Sequence, residues 1–92
     1  MDRTFQRNQG VEAAPLNDEA ILLDPSTSKF FMLNRTSSFI WERLATPSTA
    51  ESLAGEICKC FDNVALPDAL NDVRTTLDEM LSMGLIFTKD SG

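Results

Sequence analysis

The spacing of apolar residues changes once along the chain, close to Leu33. Before this point short apolar runs alternate with turn-forming residues, whereas after it the apolar residues recur about every 3.6 positions. The first pattern is typical of β-strands and the second of amphipathic helices. The sequence therefore predicts an α+β domain, strands first and helices after. Its 92 residues suffice for one domain with its own core and are too few for a doubly wound or barrel enzyme fold.

The strand region is built around two apolar runs, 20–23 and 29–33, which flank a polar turn and predict a β-hairpin. A further short strand is expected at 11–14, ended by Pro15. Within 29–33, Phe31 and Leu33 point to one side and their neighbours to the other, so both faces of the hairpin are apolar. A sheet packed on helices normally exposes a polar second face. The N-terminal segment or a second copy of the chain could cover this one.

Three helices are expected after the hairpin, near 37–45, from a capping box at Ser48 and Glu51 to about residue 61, and over 67–83. The third is the best defined, because Pro67 suits a first turn and Gly84 suits the left-handed residue that follows a helix. A last strand or packed segment follows at 85–87. The predicted domain spans 11–88, with a flexible N-terminus at 1–10 and a tail at 89–92.

The composition of the chain argues against several classes of function. The chain has no histidine, so catalytic triads and His-bearing metal sites are excluded, and we expect no catalytic residue, metal or cofactor. Fourteen acidic against eight basic residues give a net charge of −6, which disfavours nucleic-acid binding. No run of residues matches a signal peptide or a membrane span. Cys58 and Cys60 are expected as free thiols, which suggests a cytoplasmic protein without a membrane partner.

The third helix carries more apolar surface than one core requires. Beside its core stripe of Leu70, Val73, Leu77 and Leu81 runs a second line of Ala69, Thr76, Met80 and Met83. These methionines either fill gaps in the core or line a surface that accepts apolar partners. The helix also has a mostly acidic flank. Together with the apolar strand at 29–33, this pattern favours a groove that binds an extended peptide by strand addition, with basic residues near the apolar anchors of the peptide.

A set of residues in a fixed order resembles the PqqD-like family over about residues 12–87. The most specific stretch is an aromatic-x-Leu-Asn-x-Thr-x-x-x-Ile-Trp pattern at 31–41. The full set is Leu22-Leu23-Asp24, Phe31-Met32-Leu33-Asn34, Thr36, Ile40-Trp41, Ile57, Asp72-Val73, Leu77, Leu81 and Gly84-Leu85.

This resemblance implies a winged-helix-like fold of three strands followed by three helices, and a non-catalytic role. Such domains are recognition elements in pathways that make ribosomally synthesised, post-translationally modified peptides. They bind the leader part of a precursor peptide as an extra strand beside the third strand and third helix, and a leader peptidase, cyclase or radical enzyme then acts on the precursor. In this sequence the third strand is 29–33 and the third helix is 67–83.

The resemblance also implies site residues. Phe31, Leu33 and Trp41 match core positions of the family, so leader contacts are expected first from Phe30, Met32, Val73, Thr76, Met80 and Met83. The complete candidate site adds neighbouring residues of both elements: Lys29, Phe30, Phe31, Met32, Leu33, Asp72, Val73, Thr76, Met80 and Met83. The chain lacks the Pro-Glu type segment usual in pyrroloquinoline-quinone pathways and carries Phe31 for a common Tyr. A lasso-peptide or similar pathway is therefore favoured.

Two other functions remain open at this point. A winged-helix fold permits DNA binding, but the third helix carries Asp68, Asp72, Asp78 and Glu79 where a recognition helix would be basic. A structural protein that dimerises through the apolar second face of the sheet is the other alternative. For the peptide-binding function we expect a monomer or a weak homodimer.

Overall fold

The computed structural model describes residues 3–17 and 19–90. The order of elements is β1 (Arg3–Arg7), β2 (Glu12–Leu16), β3 (Glu19–Asp24), β4 (Lys29–Leu33), α1 (Arg35–Arg43), α2 (Ala50–Cys60), α3 (Leu66–Ser82) and β5 (Ile86–Asp90). This is the predicted α+β fold, with a three-stranded sheet followed by three helices. None of the helices in the described ranges is long and apolar enough to cross a membrane.

The strands form two antiparallel sheets. One has the order β2-β3-β4, and the other pairs β1 with β5. In the first sheet Ala14 and Met32 both lie in register with Ile21, on opposite sides of the central strand. The predicted hairpin of β3 and β4 is confirmed. Pro15 does not end β2 as expected, because β2 is an edge strand, where a residue without an N–H group is tolerated.

The N-terminus was predicted to be a frayed segment, but it contains a β-strand. Residues 3–7 form β1, whose central residue Phe5 is buried and exchanges two backbone hydrogen bonds with Ser48. The pairing partner is β5, at the other end of the chain. A local sequence pattern contains no information on a partner so distant, and β1 has only one buried apolar side chain. Of the expected tail, Lys89 lies in β5, while residues 1–2 and 91–92 lie outside the described residues.

The helix ends follow the local capping chemistry. Asn34 caps α1 by accepting a hydrogen bond from the Ser37 N–H, so α1 starts and ends about two residues earlier than predicted. The predicted capping box at Ser48 is wrong, since Thr49 caps α2 and accepts from the Ser52 N–H. The backbone of Ser48 is held by Phe5 instead. Gly84 has φ of +73°, which confirms its predicted left-handed conformation after α3.

One apolar core joins the sheet to the helices. Its fully buried side chains come from every layer and include Leu22, Ile40, Leu53, Leu77 and Leu85. Burial of each such side chain contributes about 1.5–3 kcal/mol relative to exposure. The helices pack against one face of the three-stranded sheet, as the burial of Leu22 and Leu33 on that face shows. Cys58 is half-buried against the core and Cys60 is exposed, and both are free thiols.

Candidate functional site

The first component of the candidate site is the free edge of β4. In the described part of the chain, β4 pairs with β3 on one side and with no strand on the other. Its sequence, Lys-Phe-Phe-Met-Leu, contains no proline. An edge of this kind offers a row of backbone donors and acceptors to an added strand.

The geometry of the sheet indicates which residues of β4 offer those groups. Pro15 of β2 lies opposite Ala20 of β3. Because proline has no N–H to donate to β3, the backbone groups of Pro15 must point away from β3. Backbone groups alternate along an antiparallel ladder. Ala20 then pairs through hydrogen bonds with Leu33 on its other side, and the backbone groups of Phe30 and Met32 point to the free edge. Two predicted residues thus present hydrogen-bonding groups outward.

The side chains of β4 divide between the two faces of the sheet. Leu33 is buried and Phe31 is half-buried against the core, so both face the helices. Phe30 and Met32 face the other way and are 69% and 71% exposed. Lys29 is also exposed, at the turn end of the strand. The sequence predicted this alternation correctly, and it places the predicted contact residues on two faces rather than in one groove.

In α3, two of the expected contact residues are core residues. Val73 is 0% exposed and Met80 is 1% exposed, as is Ala69 of the same predicted line. The line of Ala69, Thr76, Met80 and Met83 is therefore divided, because Ala69 and Met80 lie in the core and the other two residues lie beside it. Residues 69, 73, 77 and 80 share one side of the helix at steps of three and four, and they form the buried stripe. Of the two interpretations left open for the methionines, core filling applies to Met80.

The remaining α3 residues of the candidate site share one flank of the helix. Each residue turns about 100° around the axis, which places Asp72, Thr76 and Met83 together beside the buried stripe. Arg74 lies on the opposite flank, where its Nη2 is 3.7 Å from Oε1 of Glu51 in α2. The flank of Asp72 is therefore turned away from α2. Thr76 is half-buried and Met83 is 38% exposed, so this flank has an apolar border with an acidic rim.

The Arg74 flank of α3 borders a separate cleft of about 370 Å³, lined by Arg3, Phe5, Ala50, Glu51, Arg74, Leu77 and Asp78. None of the predicted site residues lines it. Acidic and basic side chains both contribute to its wall, so it has no strong preference for one sign of charge.

The turn that leads into β4 is held by side-chain hydrogen bonds. Oδ1 of Asp24 accepts from the Ser26 hydroxyl at 2.7 Å and from the Ser26 N–H at 3.0 Å. The hydroxyl contact is the main reason that the pKa of Asp24 lies below its ordinary value of 3.8. Ser28 closes the turn with φ of +59°. Sequence analysis identified this turn but not its internal bonding, which fixes where β4 begins.

Among the residues that the structure describes, the candidate site and its surroundings contain no cluster of metal ligands. No group of three or more histidine, cysteine, aspartate or glutamate residues is placed to hold a metal ion there. Trp41 is 3% exposed, and its indole N–H has no hydrogen-bond partner among the described residues. The Arg7 guanidinium carbon lies 5.3 Å from the centroid of the Trp41 ring. Trp41 is a packing residue, in agreement with the core position implied for it.

Comparison with protein families decides the family of this chain. The sequence model of the family described as coenzyme PQQ synthesis protein D (PqqD) matches residues 19–86, which is most of the chain. The chain belongs to the PqqD family. The match begins at β3 and ends at the first residue of β5, so it contains β4 and α3 but neither β1 nor β2.

Solved structures similar to this PqqD-family chain include two complexes with leader peptides. One is TbiB1 in complex with the TbiA(beta) leader peptide, with 26% identity and a TM-score of 0.82 over 94% of this chain and 99% of that chain. The other is lasso peptide synthetase B1 complexed with the leader peptide, with 20% identity and a TM-score of 0.78 over 90% and 96% of the two chains. The second likeness shows the fold alone. No curated protein matches the chain.

Proposed function

We propose that this PqqD-family protein binds the leader of a ribosomally made precursor peptide as an additional strand on the free edge of β4, and presents the precursor to a modifying enzyme. The free, proline-free β4 edge is the observation that carries the proposal. Family membership and the likeness to TbiB1, whose structure holds a leader peptide, support it.

A strand added to β4 brings the divided site residues into one binding mode. Successive side chains of a strand point to opposite faces of the sheet. One set of leader side chains would lie on the helix side, near Phe31 and the α3 flank of Thr76 and Met83. The other set would lie beside Phe30 and Met32 on the outer face. The contacts expected from both faces are therefore compatible, provided that the peptide is extended. Val73 and Met80 would support the groove from the core without touching the peptide.

The charge of the α3 flank favours a leader with basic residues. Asp68, Asp72 and Glu79 are exposed on this side of the helix, and no basic side chain shares the flank. Oppositely charged residues in the peptide would accelerate encounter more than they tighten binding. A helix with this charge would repel DNA phosphates, which disfavours the winged-helix DNA-binding alternative.

Within the family, we favour a lasso-peptide or related pathway over pyrroloquinoline-quinone synthesis. Both similar solved structures come from B1 proteins in complex with leader peptides, and one is described as a lasso peptide synthetase. In this role the chain is a non-catalytic cytoplasmic adaptor, and a separate peptidase, cyclase or radical enzyme performs the covalent chemistry. The absence of histidine is consistent with this division of work.

The direct test is the binding of a fluorescently labelled leader, measured by fluorescence anisotropy, with the leader taken from a candidate precursor sought among the neighbouring genes. We expect saturable binding that a scrambled peptide of the same composition does not show. Asp72→Lys should weaken binding several-fold, mainly through a slower association at low salt. The matched control is Asp78→Lys, an exposed aspartate on the other side of α3, which should bind like the unmodified protein.

Equal binding of the leader and its scrambled version would contradict the proposed function. Equal weakening by both aspartate substitutions would show that net charge acts from a distance, and would remove the Asp72 flank from the site.

A further inference from the structure

The outer face of the three-stranded sheet, opposite the helices, is apolar and uncovered in the described structure. It consists of alternate residues of the three strands: Glu12, Ala14 and Leu16 of β2, Glu19, Ile21 and Leu23 of β3, and Phe30 and Met32 of β4. Leu16 is 47% exposed, Phe30 and Met32 are more exposed still, and Ile21 and Leu23 are half-buried between them. A contiguous apolar patch of this kind on a small domain marks an interaction surface.

None of the described segments outside this sheet covers the patch. The N-terminal strand, which the sequence offered as a cover, pairs with β5 in the other sheet. The exposure of Phe30 and Met32 shows that both side chains lie open to a partner.

The patch is continuous with the edge on which we propose that the leader binds. A strand added beside β4 would place every second side chain on the outer face, next to Phe30 and Met32. The bound leader would therefore extend the patch by one strand. A partner that docks on this enlarged face would contact the domain and the leader at the same time, and would bind the complex more tightly than the free domain.

The charges on this face distinguish between two kinds of occupant. Its charged side chains among the described strand residues are Glu12 and Glu19, both exposed and both acidic. A second copy would bring the same acidic groups and a net charge of −6 to the interface. A different protein with an apolar patch bordered by lysine or arginine would complement the face in both shape and charge.

We infer that the outer face of the β2-β3-β4 sheet docks the modifying enzyme, through an apolar enzyme patch with a basic border, and that the bound leader completes this docking surface. This inference rests on the proposed function, since the leader strand supplies part of the surface. It assigns the helix-side face of β4 to the leader alone, and the outer face to the leader and the enzyme together.

The test uses Leu16→Lys, because Leu16 lies on the outer face but two strands away from the leader edge. Phe87→Lys is the matched control, since Phe87 is 49% exposed on β5 of the other sheet. The probes are the same labelled leader and a purified candidate modifying enzyme from the same gene neighbourhood, with the enzyme immobilised on a biosensor. We expect the leader to strengthen enzyme binding at least tenfold. Leu16→Lys should weaken enzyme binding at least tenfold and change leader affinity by less than twofold, while Phe87→Lys should change neither.

Equal enzyme binding by the two lysine variants would overturn the inference, as would enzyme binding that the leader does not strengthen. A tight dimer of the chain alone in sedimentation experiments, dissociated by Leu16→Lys, would assign the face to self-association and also overturn it. Failure of the unmodified protein to bind the leader would contradict the proposed function instead. The leader titration, which is carried out without the enzyme, distinguishes this failure from the others.

Discussion

The two edge strands of the three-stranded sheet have the same length and the same central neighbour, but very different sequences. β2 reads Glu-Ala-Ala-Pro-Leu and β4 reads Lys-Phe-Phe-Met-Leu. Every residue of β2 is exposed, and its side chains are mostly small, whereas β4 contributes Leu33 and Phe31 to the core and displays two large side chains outward.

This difference shows that one edge is protected against strand addition and the other is not. Proline and charged residues on an edge strand hinder the pairing of a further strand. β2 has Pro15 and Glu12, and it supplies little apolar surface for a partner to bury. β4 offers backbone groups and large apolar side chains. The sheet therefore favours β4 over β2 as the edge for an added strand, and the following predictions test this difference between the edges.

The largest effect is expected from proline on the β4 edge. Met32→Pro removes a backbone N–H that points to the free edge, and leaves the ladder with β3 intact. We expect the leader to bind at least tenfold more weakly, because one peptide carbonyl loses its partner, at a cost of about 1–3 kcal/mol. Met32→Ala is the control, since it removes the side chain but keeps the N–H. Anisotropy titrations with the leader measure both variants.

Two results would break this comparison. If the proline and alanine variants bind equally, the leader does not use the Met32 backbone. If Met32→Pro unfolds in a circular dichroism melt while Met32→Ala does not, then the Met32 N–H bonds to β3, and the order of hydrogen bonds assigned from Pro15 is wrong.

A smaller effect is expected at the two turns that lead into and out of β3. Asn17 and Ser28 both adopt positive φ, at 56° and 59°. Asparagine tolerates the left-handed region, while serine occupies it at a greater cost. Ser28→Gly should therefore raise the free energy of unfolding by about 0.5–1 kcal/mol, and Asn17→Gly should raise it by less. Urea denaturation with unchanged m-values measures the difference.

Leader affinity should be the same in both glycine variants, because neither changes the free edge. If Asn17→Gly raises the free energy of unfolding more than Ser28→Gly does, then the turn that leads into β4 is not the more strained of the two turns.

The fold could largely be predicted from sequence, because its signals are local. The apolar run of β4, the proline at the start of α3 and the left-handed Gly84 each act within a few residues. The pairing of β1 with β5 could not be predicted, since its partners lie at opposite ends of the chain. Ser48 illustrates the same limit, because the capping motif is present but a distant contact with Phe5 fixes its backbone.

The candidate site was predicted less completely than the fold. Alternation in β4 identified Phe30 and Met32 as outward residues, because strand periodicity is simple and the strand is short. In α3, the periodicity allowed two adjacent stripes, and the boundary between core and surface depends on where α2 packs. Met80, which the prediction placed on the second stripe, therefore lies in the core, whereas Val73 was already on the predicted core stripe. The protecting role of Pro15 became evident only once the sheet order was known.

The smallest expected effect concerns the pH dependence of the stability that Asp24 provides in the turn leading into β4. The pKa of Asp24 is lowered in the folded protein, mainly by the Ser26 hydroxyl, so the unfolded chain binds a proton more readily than the folded one. The resulting stabilisation is complete above the unfolded pKa and is lost as the pH falls through the folded pKa.

Asp24→Asn keeps the geometry of the acceptor but does not titrate. Its free energy of unfolding, measured in urea, should lie slightly below that of the unmodified protein near neutral pH, and the two values should converge in acid. Asn17→Gly neither adds nor removes a titrating group, so its difference from the unmodified protein should change less with pH than that of Asp24→Asn. A gap for Asp24→Asn that persists in acid would show that the Ser26 contacts do not depend on the charge of Asp24.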